Sequence, residues 1–182
     1  MRCSRVANSL ARAGRVFGRD DWLASAYRAF GFLQEKLWRD GRLLATYKDG
    51  RAHLNAYLDD YAFLIAAALE LLQARFSSDD LAFACRLADT LLEQFEDGEG
   101  GFFFTSQDHE RLILRPKPAH DQATPSGNAV AAWVLERLAA LTGEARYSRA
   151  ARRTVELFYP AMLGYPAGFA MKIGRASCRE RV

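Results

Sequence analysis

Two pairs of adjacent titratable residues are the strongest candidates for acid–base chemistry in this sequence. Asp59 and Asp60 begin an apolar helical segment, and carboxylates beside a central cavity can act as general acid and general base on a sugar. His109 and Glu110 lie at a polar turn, where an imidazole can shuttle protons near neutral pH, as epimerisation next to a carbonyl requires. We therefore predict Asp59, Asp60 and His109 as catalytic residues and Glu110 as a ligand-binding residue.

Each pair also has a purely structural interpretation. Acidic residues at a helix N-terminus are favoured by the helix dipole, and histidines are common in exposed turns. Since neighbouring residues project about 100° apart on a helix, at most one of Asp59 and Asp60 can point straight into a cavity. Tyr57 and Tyr61 are spaced four residues apart, and they are predicted to line the wall of a pocket or of the core.

The stretch from Gly100 to Asn128, GGFFFTSQDHERLILRPKPAHDQATPSGN, gathers most of the remaining polar candidates. A connection of this length with internal structure is usually functional. Arg115 and Lys117, held between prolines, can bind an anionic or hydroxyl-rich ligand, or they can pair with Asp108 or Asp121 at the end of a strand. The three consecutive phenylalanines before them are expected to pack against the rim of the fold rather than to stack on a sugar.

The PSGN sequence at the end of this stretch predicts the start of a helix. Ser126 is the expected N-cap, and Gly127 and Asn128 allow a tight turn into the helix. Ser126 lies in no G-x-S-x-G elbow, so nucleophilic serine catalysis is not favoured. If this helix start shares one mouth of the fold with Asp59, then Asp121, Ser126 and Asn128 are predicted to contact the ligand.

No spacing of residues indicates a metal or another cofactor. An HExxH motif is absent, and His53 and His120 lie in no pattern that would orient them. Cys3 and Cys85 are far apart and form no CxxC pair. They are predicted to be reduced thiols of a cytoplasmic protein.

Helical periodicity dominates the rest of the chain. Segments with one apolar and one charged side are typical of outward-facing helices, whereas segments that are apolar nearly all round, such as Ala62 to Leu72 and Ala129 to Leu141, are predicted to be buried on both sides. A repeated triplet marks the outward-facing segments: Ala26, Arg28 and Leu33; Ala84, Arg86 and Leu91; Ala150, Arg152 and Leu157.

Alternation of buried and amphipathic helices is the pattern of a double ring, so we predict an all-α fold that forms part of an α/α toroid. Short β-hairpins are predicted at one mouth of the toroid. The predicted helix pairs are Leu10 to Phe17 with Asp20 to Trp38, Asn55 to Ala74 with Ser78 to Phe95, and Asn128 to Leu141 with Glu144 to Tyr159. The predicted hairpins are Leu43 to Tyr47 before the Lys48-Asp49-Gly50 turn, and Gly101 to Thr105 with Leu112 to Arg115.

Composition suits one domain, since the 182 residues are 50% hydrophobic and 12% aromatic. No run of about 18 apolar residues and no signal-peptide pattern is present, so neither a membrane nor export is predicted. The last ten residues, IGRASCRERV, continue no earlier pattern, and one choice of codons for them reproduces the start of a common sequencing adapter. We therefore interpret residues 1–172 as a partial α/α-barrel domain and residues 173–182 as a translated adapter, which the source nucleotide sequence tests.

Interpreting residues 173–182 as a translated adapter also changes what the net charge of the chain indicates. The formal net charge is +3, and Arg175, Arg179 and Arg181 against Glu180 contribute most of it. No other cluster of basic residues is interleaved with aromatic ones. Nucleic acid is therefore not a predicted partner.

Three segments carry a resemblance to a known family: YLDDYAFLIAAALELL, FEDGEGGFFFTSQDHERLILRPK and the stretch from Asp121 to Gly143. They resemble the C-terminal part of the spermatogenesis-associated protein 20 family, whose bacterial relatives are often called thioredoxin-domain-containing proteins. The resemblance implies an (α/α)6 barrel similar to those of N-acylglucosamine 2-epimerase and six-hairpin glycosidases, placed after an N-terminal thioredoxin-like domain. By this comparison, the chain is a fragment that lacks both that domain and the helices that would close the ring.

The resemblance leaves two functions open. In the first, the intact protein carries a sugar-binding or sugar-processing barrel, an epimerase or a hydrolase, with Asp59, Asp60, His109, Arg115 and Asp121 around the mouth. In the second, the barrel is not catalytic and presents client proteins to the thioredoxin-like domain. Only the first predicts that sugars bind, and in either case the fragment alone is expected to be inactive.

Overall fold

The computed structural model describes residues 3–109 and 114–171 of the chain. These residues form three consecutive helical hairpins, as the sequence predicts. The proposed adapter at 173–182 and the domain boundary at 172 lie outside the described residues and stay predictions. The helices are α1 (Cys3–Phe17), α2 (Asp20–Phe32), α3 (Leu58–Ala74), α4 (Ser78–Phe95), α5 (Gly127–Thr142) and α6 (Ala145–Gly164), with a π-helical turn at Leu33–Leu37 and a 3-10 turn at Pro166–Phe169.

The helices form an inner and an outer layer. Helix α3 packs between α1 and α5, while α2, α4 and α6 pack mainly on the inner helix that precedes each of them. Every residue of α3 from Asp60 to Leu71 is buried, because α1, α4 and α5 pack around this helix. The outer helices are amphipathic: the repeated alanines are buried and the repeated arginines are exposed, which are Ala26, Ala84, Ala150, Arg28, Arg86 and Arg152.

Contacts at both ends show that the inner helices run parallel. Arg5 and Asp59, near the starts of α1 and α3, form one ion pair, while Arg15 and Glu70, toward the ends of the same helices, form another. Helix α5 has the same direction, since its first residue, Gly127, packs against Asp59 and its Arg137 reaches Glu70. The three inner N-termini therefore lie at one mouth of the layer.

A three-stranded antiparallel sheet occupies this mouth, in the order β1 (Trp38–Arg39), β2 (Arg42–Lys48) and β3 (Arg51–Asn55). Lys48 pairs with Arg51, and the two residues between them, Asp49 and Gly50, have φ values of 51° and 77°. Two left-handed residues in a two-residue loop match the twist of the flanking strands. The first predicted hairpin is thus confirmed.

The first strand of the second predicted hairpin, Gly101 to Thr105, is wrong, because the structure has no strand there. Gly100 and Gly101 have φ values of 104° and 71° and turn the chain back at the end of α4. Phe102 consequently bridges to Glu96 and is fully buried. The Phe104 N–H donates to the carbonyl of Pro116 (2.8 Å). Two of the four residues of the predicted partner strand, 112 and 113, lie outside the described residues, so the pairing itself stays a prediction.

Tyr61 joins the sheet to the inner layer. Its hydroxyl accepts a 2.8 Å hydrogen bond from the backbone N–H of Leu43, and its ring packs against Phe95 with centroids 5.2 Å apart. The side chain is fully buried. The prediction that Tyr61 lines the core is therefore confirmed.

Replacing Tyr61 tests this connection. We expect Tyr61→Phe to lower the free energy of unfolding by about 1.5 kcal/mol, because the N–H of Leu43 loses its partner in a buried position. Urea denaturation measures the change, and Tyr159→Phe, at an exposed tyrosine, is the matched control. Equal stability of both variants and the parent would contradict this role.

Candidate functional site

Asp59 lies on the inner layer at the mouth. Its Oδ2 is 3.4 Å from Nη2 of Arg5, whose guanidinium lies over the ring of Phe63, 4.8 Å from the centroid. Burial raises the pKa of the Asp59 carboxyl, the neighbouring Asp60 raises it further, and Arg5 opposes the rise. Asp59 is thus a partly buried carboxylate whose neutral form is favoured by its surroundings.

Gly127 lets helix α5 approach this carboxylate. A Cβ added at position 127 would overlap Oδ1 of Asp59 and lie 3.0 Å from two side-chain carbons of Leu58. Only glycine leaves room for the two helix starts to touch at this point. The PSGN motif therefore brings α5 against the candidate acid of α3.

Asp60 points elsewhere. Its Oδ2 accepts a 3.1 Å hydrogen bond from the backbone N–H of Tyr57, and the side chain is buried. This bond satisfies a donor at the start of α3, as acidic residues often do in the first helical turn. The geometry gives Asp60 a structural contact, and its catalytic role stays a prediction.

Tyr57 and His109 pack together at the same mouth. The ring of Tyr57 stacks on Phe104, with centroids 4.8 Å apart and planes at 13°, and lies 5.5 Å from the ring of His109. The preceding residue, Asp108, forms two hydrogen bonds with the guanidinium of Arg42, one of 2.9 Å, so the turn is tied to the sheet. Glu110 lies outside the described residues.

Arg115 and Lys117 both contact the face of Phe103, with the guanidinium carbon and Nζ 4.2 and 5.0 Å from its centroid. Arg115 donates to the carbonyl of Thr105 (2.6 Å). Lys117 forms an ion pair with Asp97. The structural partners suggested by the sequence, which were Asp108 and Asp121, are wrong for both residues.

Asp121 and Ser126 organise the start of α5. Asp121 accepts hydrogen bonds from the backbone N–H of Ser126 (2.8 Å) and from that of Met171 (2.9 Å). Ser126 Oγ accepts from the N–H of Ala129 (3.3 Å) and donates to the carbonyl of Ala119 (3.2 Å). The expected N-cap is confirmed, while the ligand-binding roles of both residues stay predictions.

Asn128 fastens the long connection to α5. Its Oδ1 accepts from the N–H of Phe102 (2.7 Å), and its Nδ2 donates to the carbonyls of Phe102 and Pro118 (both 2.9 Å). Asn128 is fully buried. One amide side chain thus binds both backbone groups of Phe102 and fixes the turn after α4.

A second charged cluster lies further along the inner helices and was missed by the sequence analysis. The carboxylate of Glu70 is within 3.3 Å of the guanidinium nitrogens of both Arg15 and Arg137, and Arg137 lies over the ring of Trp133. Glu70 is buried. The available signal was one acidic residue in an otherwise apolar helix, since a buried carboxylate needs partners.

Tyr61 shows which side of α3 these charges share. Because Tyr61 packs on Phe95 of α4, it marks the side that faces the outer layer. Asp59, Phe63 and Glu70 lie about 160–200° around the helix from Tyr61. They therefore share the opposite side, which we call the inner face.

The two charged clusters are separated along the inner face. Asp59 and Glu70 are eleven residues apart on one helix, which corresponds to about 16 Å at 1.5 Å per residue. The inner face therefore carries one ionic cluster near the mouth and another deeper in.

Other kinds of site find little support in the part of the chain that the structure describes. Among residues 3–109 and 114–171, no group of three or more His, Cys, Asp or Glu side chains is placed to hold a metal ion. None of the helices searched there is both long and apolar enough to cross a membrane. An open depression of about 480 Å³ lies on the outer layer, lined by Tyr27, Arg28, Gly31, Phe32 and Glu35.

The helical arrangement is similar to that of three solved sugar epimerases. The chain resembles cellobiose 2-epimerase from Spirochaeta thermophila with a TM-score of 0.66 and 20% identity, over 86% of this chain and 41% of that one. It resembles the enzyme from Bacillus thermoamylovorans with a TM-score of 0.68 and 14% identity, over 86% and 43%, and a sugar epimerase from a ruminal bacterium with a TM-score of 0.66 and 16% identity, over 84% and 41%. The described helices therefore form part of an α/α-barrel fold, and the match spans about two fifths of each epimerase.

Sequence relatives identify the family. The chain is 35% identical over 150 residues to human spermatogenesis-associated protein 20, and 33% identical to the rat and mouse proteins, in each case over 76% of this chain. The chain belongs to the spermatogenesis-associated protein 20-like family, as its motifs predict. It spans about a fifth of the length of these curated relatives, and no family model matches it.

Asn128 provides a test of the turn that carries the candidate residues. We expect Asn128→Ala to lower the free energy of unfolding by about 3 kcal/mol, because three buried backbone groups lose their partner. Asn128→Asp should also destabilise, since a carboxylate cannot donate to the two carbonyls. Urea denaturation measures both, and Gln122→Ala at an exposed position is the control. Parent-like stability of Asn128→Ala would contradict the proposed fastening.

Asp59 provides a test with a defined pH dependence. A folded-state pKa raised above the unfolded value gives stability that is present below the unfolded pKa and is lost as the pH rises through the folded pKa. The melting temperature of Asp59→Asn, measured relative to that of the parent, should therefore rise as the pH increases from 3.5 to 7. Asp97, whose pKa is lowered by its hydrogen bond from Lys117, is the control of opposite sign. The melting temperature of Asp97→Asn, relative to that of the parent, should fall over the same pH range. Parallel curves for the parent and Asp59→Asn would refute the raised pKa.

Proposed function

We propose that the inner face of α1, α3 and α5 binds a carbohydrate, and that the intact protein uses this barrel for sugar binding or processing. The observation that supports the proposal is the coincidence of two features. The fold is shared with sugar epimerases, and the face that corresponds to the inside of the barrel carries the ion pair of Arg5 and Asp59 beside aromatic Phe63.

These groups have the chemistry that a sugar requires. Guanidinium and carboxylate groups donate to and accept from hydroxyl groups through directed, charge-assisted hydrogen bonds. Arg5 and Asp59 are partly exposed, with 40% and 26% of their side chains accessible. They are therefore available to a ligand, unlike Asp60 and Asn128, which are buried and bonded to the backbone.

Asp59 is the proposed acid–base residue. Its raised pKa favours a carboxyl that can hold a proton closer to neutral pH, as general acids in sugar chemistry do. His109, packed on Tyr57 at the same mouth, is proposed as the second proton-transfer group. Epimerisation and hydrolysis both need one group that donates a proton and one that accepts it.

The proposal also includes the domain that precedes this barrel in the whole protein. The chain spans about a fifth of its curated relatives, so an N-terminal thioredoxin-like domain is proposed only from the family resemblance. In that arrangement the barrel would supply ligand recognition next to a redox domain. A barrel that recognises client proteins instead of sugars is the outcome that a negative sugar test would favour.

A panel of mono- and disaccharides tests the proposal in the full-length gene product. We expect at least one sugar to raise the melting temperature and to be epimerised or hydrolysed, with turnover followed by chromatography. Asp59→Asn should reduce that turnover by roughly 100-fold or more while binding is retained. Asp20→Asn, at an exposed position on the outer layer, is the matched control. A panel that neither shifts melting nor is turned over would rule out a sugar-processing barrel.

A further inference from the structure

Helix α1 displays a stripe of arginines toward the inner face. Arg12 and Arg15 follow Arg5 by seven and ten residues, so the three side chains span about 80° of the helix. The first and the last of the three reach α3, where Arg5 contacts Asp59 and Arg15 contacts Glu70. The stripe as a whole is therefore directed toward the neighbouring inner helix.

Arg12 is the cation in this stripe with no carboxylate opposite it. It is exposed, and among residues 3–109 and 114–171 no ion pair of its guanidinium occurs. It lies two helical turns beyond Arg5 and one turn before Arg15. An arginine in this position leaves five donors available between the two ionic clusters.

The deeper cluster also carries excess positive charge. Arg15 and Arg137 share the single carboxylate of Glu70 at 3.3 Å, and 37% and 30% of their side chains stay accessible. Each guanidinium has five N–H donors, of which the carboxylate can use only part. Glu70 thus fixes two guanidinium groups without neutralising both of them.

The other two carboxylates of the inner helices, Asp60 and Glu136, form no ion pair with these arginines among the described residues. Asp60 accepts from the backbone N–H of Tyr57. Glu136 lies one residue before Arg137 and projects about 100° away from it around α5. In the part of the chain that the structure describes, Arg5, Arg15 and Arg137 form ion pairs with Asp59 and Glu70, and Arg12 forms none.

We infer that the carbohydrate bound by the inner face carries an anionic group, a carboxylate or a phosphate, which binds between Arg12 and the guanidinium pair held by Glu70. This inference rests on the proposed sugar function and names its substrate class. A planar guanidinium matches the geometry of both oxyanions. Two guanidinium groups held in advance by Glu70 lose less conformational entropy on binding than free side chains would.

Calorimetric titration of the full-length gene product with glucose, glucuronate, glucose 6-phosphate and inorganic phosphate tests the inference. At least one of the two anionic sugars should bind roughly tenfold or more tightly than glucose, since a charge-assisted hydrogen bond contributes that much. Comparison of glucuronate with glucose 6-phosphate decides between carboxylate and phosphate. Arg12→Gln should remove the preference while leaving the affinity for glucose unchanged, and Arg28→Gln, at an exposed arginine on the outer layer, should change nothing.

The outcomes separate this inference from the proposed function. Glucose binding as tightly as both anionic sugars, or a preference that survives Arg12→Gln, overturns the anionic substrate but keeps a sugar-binding barrel. Inorganic phosphate that binds and is weakened by Arg12→Gln, with no sugar bound, keeps the anion site and refutes the carbohydrate. Absence of binding by all four compounds overturns the anionic substrate, and the panel of mono- and disaccharides then decides whether the barrel binds sugars at all.

Discussion

The burial of α3 between its neighbouring helices is the constraint on which the rest of the structure depends. A helix that is apolar around its whole circumference must be covered by other helices, and α1, α4 and α5 provide this cover. Because α1 and α5 lie parallel to α3 on either side, their charged residues meet those of α3 at matching heights. The packing of one hydrophobic helix thereby determines where the polar groups of the inner face can lie.

The helical layout was largely predictable because its cause is local. The helical repeat of hydrophobic residues is visible within the roughly twelve residues of each segment, whatever the rest of the chain does. The Lys48-Asp49-Gly50 turn was also predictable, since its residues favour a two-residue hairpin loop. The connection after α4 was not, because its conformation is determined by Asn128, which lies 26 residues beyond Phe102, and periodicity does not detect such a partner.

Some residues of the candidate site could likewise be predicted from the sequence, and others could not. Asp59 could be proposed from the sequence because acidic residues at a helix start are conspicuous, and the N-cap Ser126 could be predicted because it precedes a helix. The cluster of Glu70, Arg15 and Arg137 joins residues 55 and 67 positions apart, so only the tertiary packing reveals it. Arg115 and Lys117 were recognised as important, yet their partners depend on how the chain turns at Gly100 and could not be assigned beforehand.

The contact of Gly127 with Asp59 links two positions that are far apart in the chain. Any side chain at position 127 would occupy the space of the Asp59 carboxylate. A substitution at position 127 is therefore tolerated only when residue 59 also changes or the helix start moves. A descendant that enlarges residue 127 must first shorten residue 59 or move the helix start. The two codons are therefore expected to change together during evolution, and the order in which they change is constrained by steric exclusion.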